Sequence, residues 1–265
     1  MPSHFTSIGF PAETVEDIEA LAVEVIDATI TFNCPKGRYL RWAGGEGAEL
    51  WLQMDEDYNL IGVTPFFQKK SVMNVGVTRQ FRREGDTMLE GAIRGWVNPK
   101  HSNPQVGTFE LVCEIVDIGR YPHLEVPFIS PLRLSAFAYN VDAFSSFESF
   151  QASEVGQGKP NPEMFTPTGV RKPGEGVSLL PESSAEISGH VVETALLRNP
   201  HSQQKYQWIL VRTDGGLVDM VCDPAIVTDP ITEGGIVSAY CWLCAQILKP
   251  RVQQKKSFTQ LLFGN

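Results

Sequence analysis

The first third of the chain alternates cleanly between apolar and polar positions, and the alternation changes period twice. Val15, Ile18, Leu21, Ala22, Val25 and Ile26 recur at helical spacing and predict one amphipathic helix running to about Asp27. Thr14 stands where an N-cap is wanted, with Glu16 and Asp17 in the first turn, where the helix dipole favours negative charge. On either side the period falls to two. "FTSIGF" (5–10) predicts a short strand before the helix, and "TITFN", "RYLRWA", "AELWLQM" and "LIGVTPFF" predict four after it.

Residues 71–150 read as almost entirely β. "SVMNVGVTRQF", "TMLEGAIRGWV", "GTFELVCEIVDI" and "LRLSAFAYNV" are the expected strands, and Ser145-Ser146-Phe147-Glu148 has the form of a capping box opening a short helix. Residues 152–185 hold five prolines and five glycines without periodicity and predict a linker lying along a surface. From residue 186 a second β pattern begins, with "EISGHVVETALL", "KYQWILVRT", "GLVDMVCD" and "GIVSAYCWLCAQIL" as strands and Asp214-Gly215-Gly216 as a tight turn. The fold class expected is α+β, mainly antiparallel β. It divides into an α+β domain at 1–151, a linker at 152–185, and a small β-barrel with a C-terminal tail at 186–265.

Composition narrows the class. A chain of 265 residues with 42% hydrophobic and 20% charged side chains builds a real core without staples. Five scattered cysteines fit reduced thiols in a cytoplasm, and the sequence has neither a signal-like start nor an apolar run of membrane length. Residues 1–67 carry 3 basic against 11 acidic side chains, whereas residues 186–265 carry 7 against 7. An acidic N-terminal surface repels phosphate backbones, which makes nucleic acid an unfavoured partner there.

The stretch "TSIGFPAETVEDIEALAVEVID" followed by "GRYLRWAGGEGAELWLQMD" resembles the vicinal oxygen chelate family, which includes glyoxalases and extradiol dioxygenases. The resemblance implies a strand-helix-three-strand module within a cupped sheet. It also implies a divalent metal bound by a His or Gln on the first strand and a Glu on the last, where Glu49 stands. The first-strand position is held by Ser7, a poor ligand, and His4 falls on the opposite parity of that expected strand. No metal is therefore favoured, and no cofactor is expected; Glu49 is a ligand only under the family's metal-dependent lyase, isomerase or dioxygenase reading. The 186–265 region resembles an OB-fold barrel, which implies single-strand nucleic-acid binding as a further alternative.

The leading expectation is a non-catalytic or diverged small-ligand-binding protein that self-associates. Glu49, Trp51 and Gln53 share one face of their strand. With Arg41, Trp42, Arg94 and Trp96 they supply the aromatic and cationic lining that a small anionic or planar ligand uses. Cys241-Trp242-Leu243-Cys244 has redox or zinc spacing, but strand parity puts its sulfurs on opposite faces, which predicts core cysteines. The basic-then-apolar tail, with Leu261, Leu262 and Phe263 near its end, is a candidate docking segment.

Overall fold

The computed structural model describes residues 3–169 and 181–251. Part of the expected linker and the tail from residue 252 therefore lie outside the described residues. Strands dominate, in one antiparallel sheet and one mixed sheet.

Helix α1 (Val15–Val25) begins as the sequence predicts. Thr14 Oγ1 accepts from the Asp17 N–H, and the Asp17 carboxylate accepts from the Thr14 N–H. The strand expected before it is absent. Residues Thr6–Ile8 form a 3₁₀ turn that Gly9 closes at φ 79°, so the short alternation of "FTSIGF" reflects a turn whose apolar side chains drop into the core. After the helix come β1 (Thr29–Cys34), β2 (Gly37–Ala43), β3 (Ala48–Met54) and β4 (Leu60–Phe67), a four-stranded antiparallel meander.

The remaining strands form one ten-stranded sheet: β5 (Met73–Phe81), β6 (Ala92–Val97), β7 (Glu110–Ile115), β8 (Phe128–Ala138), β9 (Asp142–Phe144), β10 (Met164–Pro167), β11 (Ser184–Arg198), β12 (Lys205–Thr213), β13 (Gly216–Cys222) and β14 (Ile236–Ile247). The short helix α2 (Phe147–Ala152) follows β9. Its capping box lies one residue later than expected, between Ser146 and Ser149, because the Ser149 hydroxyl takes the place of Glu148.

The ladders close twice. β8 pairs with β5, β5 with β6, β6 with β7, β7 with β14, and β14 returns to β8. On the other side β14 pairs with β11, β11 with β12, β12 with β13, and β13 with β8. Two five-stranded rings thus share the β8–β14 ribbon, and the boundary expected near residue 186 is spanned by hydrogen-bonded ladders.

The rings are related by a pseudo-two-fold through the Ala136–Leu243 pair. Each consists of a three-strand meander whose first strand runs antiparallel to the fourth of its own repeat, while its third runs parallel to the fourth of the other. Glu114 opposite Cys244 is matched by Val221 opposite Phe137. Each first strand carries a bulge where it leaves its fourth strand, at Val77/Arg79 and at Val191/Glu193.

Parity along the shared strands divides two cores. Leu132, Leu134, Ala136, Cys241, Leu243 and Ala245 face the ring interiors. Phe137, Trp242 and Cys244 face outward and join Tyr206, Trp208 and Leu210 of β12 in a second core, to which β2, β3, β4 and α1 contribute. The meander therefore packs on the outside of the second ring. Every residue of β3 is buried.

Candidate functional site

Glu49 does not face water: it is 2% exposed. Its carboxylate accepts from the Arg41 guanidinium, from the Gln68 side-chain amide, and from Trp51 Nε1 at 2.9 Å. The β2–β3 register places Arg41 directly opposite Trp51 and Tyr39 opposite Gln53, so all share the Glu49 face. Gln53 is equally committed. Its amide donates to Thr64 at 3.0 Å and accepts from Thr87 at 2.7 Å, tying the meander to the β5–β6 connection. Trp51 stacks on Phe32 with ring centroids 5.5 Å apart.

The remaining predicted residues lie elsewhere. Trp42 pairs with Leu50 in register and therefore points to the opposite face, where it meets Phe10 edge-on at 5.2 Å. Arg94 and Trp96 stand on β6 of the first ring, with the Arg94 guanidinium held in a forked ion pair by Glu110. The seven residues thus form a buried group around Glu49, a separate Trp42 packing site and a separate β6 pair.

What opens to solvent beside Glu49 is a cleft of about 280 Å³ between the β2–β3 turn, the end of β4 and β8. Arg41, Glu46, Glu49, Gln68, Lys69 and Arg133 line it. Lys69 reaches Glu46 at 3.0 Å while its ammonium lies over the Trp208 ring, 4.4 Å from the centroid. Nε of Arg41 is a buried donor with no hydrogen-bond partner among the described residues. Gln68, Lys69 and Arg133 carry no local signal in the sequence; they meet only because β4 ends where β8 passes.

A divalent metal does not fit at Glu49. The groups around its carboxylate are a guanidinium, an amide N–H and an indole N–H, all donors and one of them cationic, where a metal requires further lone pairs. Among the described residues no three His, Cys, Asp or Glu side chains gather in a metal-holding group. His4 is stacked on Trp242 with centroids 4.3 Å apart and lies 2.9 Å from the Tyr139 hydroxyl, and burial lowers its pKa to about 4. Cys241 and Cys244 sit in different cores, and burial pushes both thiols far above their ordinary range. His190 and His201 each pair with a single carboxylate, Glu163 at 2.9 Å and Glu24 at 3.0 Å.

A structural residue that the sequence did not announce is Asp219. One carboxylate oxygen accepts from the backbone N–H groups of Lys69, Lys70 and Ser71, and the other from Trp208 Nε1 at 2.8 Å. It fixes the Lys69 backbone at the rim of the cleft. No family model, curated protein or solved structure matches the chain.

Proposed function

We propose that the protein is a non-catalytic binder of a small anionic ligand, held in the cleft beside Glu49. The reading is carried by the charges in that cleft. Glu46 is answered by Lys69 and Glu49 by Arg41, which among the described residues leaves Arg133 as a surplus cation facing the same space. A carboxylate or phosphate oxygen between Arg133 and Arg41 would accept from both guanidiniums that line the cleft. The volume suits a metabolite of a few heavy atoms.

The OB-like reading of the second ring remains part of this proposal. Its support is a closed five-stranded ring in which only β13 and β8 run parallel. The β12 aromatics Tyr206 and Trp208 are covered by the meander, which removes the stacking surface that single-strand binders use and favours the small anion. A relation of residues 15–67 to the vicinal oxygen chelate scaffold rests on a helix followed by antiparallel strands, and the donors around Glu49 lend its metal chemistry no support.

Isothermal titration calorimetry with phosphate and a panel of small di- and tricarboxylates tests the function. Saturable binding is expected for at least one of them. Arg133→Ala should weaken it about tenfold or more, since a charge-assisted hydrogen bond contributes about 1.5 to 3 kcal/mol. Arg94→Ala, outside the cleft, should leave it unchanged. Absence of saturable binding, or equal losses in the two variants, refutes the reading.

A further inference from the structure

The two ends of the shared ribbon occupy pseudo-equivalent positions and carry opposite charge. At one end Asp142, Ala143 and Phe144 run beside Ile236–Ser238 of β14. At the other, Lys249, Pro250 and Arg251 continue from β14 past the start of β8, with the Leu248 N–H on Pro131 O and the Lys249 N–H on Ser130 Oγ, both at 3.1 Å. Asp142 thus stands where its counterpart is Lys249, and Phe144 where its counterpart is Arg251.

Each end opens into a cleft. The acidic one, of about 780 Å³, is lined by Asp142, Glu154 and Asp229 together with Phe144, Val155 and Pro230, and among the described residues no Lys, Arg or His lines it. The basic one, of about 460 Å³, includes Lys249 and Arg251, the latter 3.3 Å from Glu125. The C-terminal segment 252–265, "VQQKKSFTQLLFGN", follows directly from the basic end. It joins Lys255 and Lys256 to the apolar Leu261, Leu262 and Phe263.

We infer that the C-terminal segment of one copy docks in the acidic cleft of a second copy. Charge selects the cleft: two ammonium groups meet three carboxylates, and the apolar residues that follow have Phe144, Val155 and Pro230 to cover. Reach selects the second copy. β14 has 12 residues and spans about 36 Å at roughly 3.3 Å per residue, which separates the two ends of the ribbon. Lys255 lies so close after Arg251 that its own chain carries it only about 14 Å, far short of the acidic cleft of the same molecule. The contact is heterologous, a tail into a cleft, so each copy offers one of each and association extends head to tail.

Sedimentation velocity of the full chain tests this. At low ionic strength the weight-average mass should rise above the monomer with concentration, and high salt should return it to the monomer. Lys255→Glu/Lys256→Glu and Asp142→Lys/Asp229→Lys should each be monomeric alone. An equimolar mixture should associate again, because each reversed tail then meets a reversed cleft and each native tail a native cleft; that recovery also shows that both variants fold. A labelled peptide of residues 250–265 should bind the tail-reversed variant, whose acidic cleft is intact. A wild-type monomer at all concentrations, association that survives either reversal, a mixture that stays monomeric, or a peptide that fails to bind overturns the inference.

Discussion

Ala136 on β8 lies directly opposite Leu243 on β14, and both are fully buried in the core that runs through the two rings. On one side of this pair β5, β6 and β7 close a ring; on the other β11, β12 and β13 close its counterpart. Neither ring is complete without the strand that the other repeat supplies, so neither half of the chain has an independent barrel to fall back on.

Cooperative unfolding follows from that sharing. Thermal melts followed by far-UV circular dichroism and by tryptophan fluorescence should coincide in one transition, since Trp96 reports the first ring and Trp208 the second. Leu243→Ala should cost about 2 to 5 kcal/mol, the range for truncating a buried leucine, and should lower both signals together. Two separated transitions, with only one displaced by the substitution, would contradict the shared ribbon.

Asp219 joins the meander to the second ring through four accepted hydrogen bonds, three from the backbone of residues 69–71 and one from Trp208. Asp219→Asn keeps the volume but turns an amide N–H₂ toward donors that need an acceptor. The expected loss is about 2 to 3 kcal/mol, with a shift in Trp208 emission. A melting temperature within error of wild type would show that the clamp is not needed.

His4 makes stability depend on acid. Burial lowers its folded-state pKa to about 4 from an ordinary value of 6.5. Between those values the unfolded chain binds the proton and the folded chain does not, so stability rises with pH through that window and is level above it. The displacement corresponds to roughly 3 kcal/mol lost between pH 7 and pH 4. Burial raises the carboxyl pKa of Glu114 and Asp117, which opposes this slope. Urea denaturation of wild type and His4→Gln at several pH values isolates the histidine: the difference between the two should shrink as pH falls through the window. A constant difference would mean that His4 does not titrate there.

Local signals in the sequence were legible where one side chain acts on its own backbone or on its own strand's parity. Thr14 caps its helix, and the strands expected from "TITFN" to the final long segment overlap the stretches where alternation places them, whereas β9 and β10, the latter paired with β11 inside the stretch 152–185 expected as a linker, carry no alternation long enough to announce them. "FTSIGF" misled because its six residues alternate as a 3₁₀ turn also can once Gly9 takes a left-handed φ. Ring closure was not legible. The parallel pairings of β13 with β8 and of β7 with β14 join segments far apart in sequence, and no residue pattern marks which distant strand is the partner. The cleft was half legible: Arg41 and Glu49 share a face by parity, whereas Gln68, Lys69 and Arg133 reach them only through the packing of the meander against the rings.

Glu49 is the last and sharpest test, because its position invites a functional reading while its contacts describe a structural one. Glu49→Gln preserves shape but removes the charge that balances Arg41, and it places a second amide beside Gln68. Breaking a buried ion pair costs about 3 to 5 kcal/mol. The Arg41 side chain keeps 25% of its surface exposed, so water recovers part of the loss and the expected cost is about 3 kcal/mol. Anion affinity should move the other way. With Glu49 neutral, Arg41 joins Arg133 as an unbalanced cation in the cleft, and the ligand should bind several-fold more tightly under conditions where the variant is still folded. A variant that is as stable as wild type would remove Glu49 from the scaffold. One that is destabilised but binds the anion more weakly would mean that the carboxylate positions Arg41 for the ligand instead of competing with it.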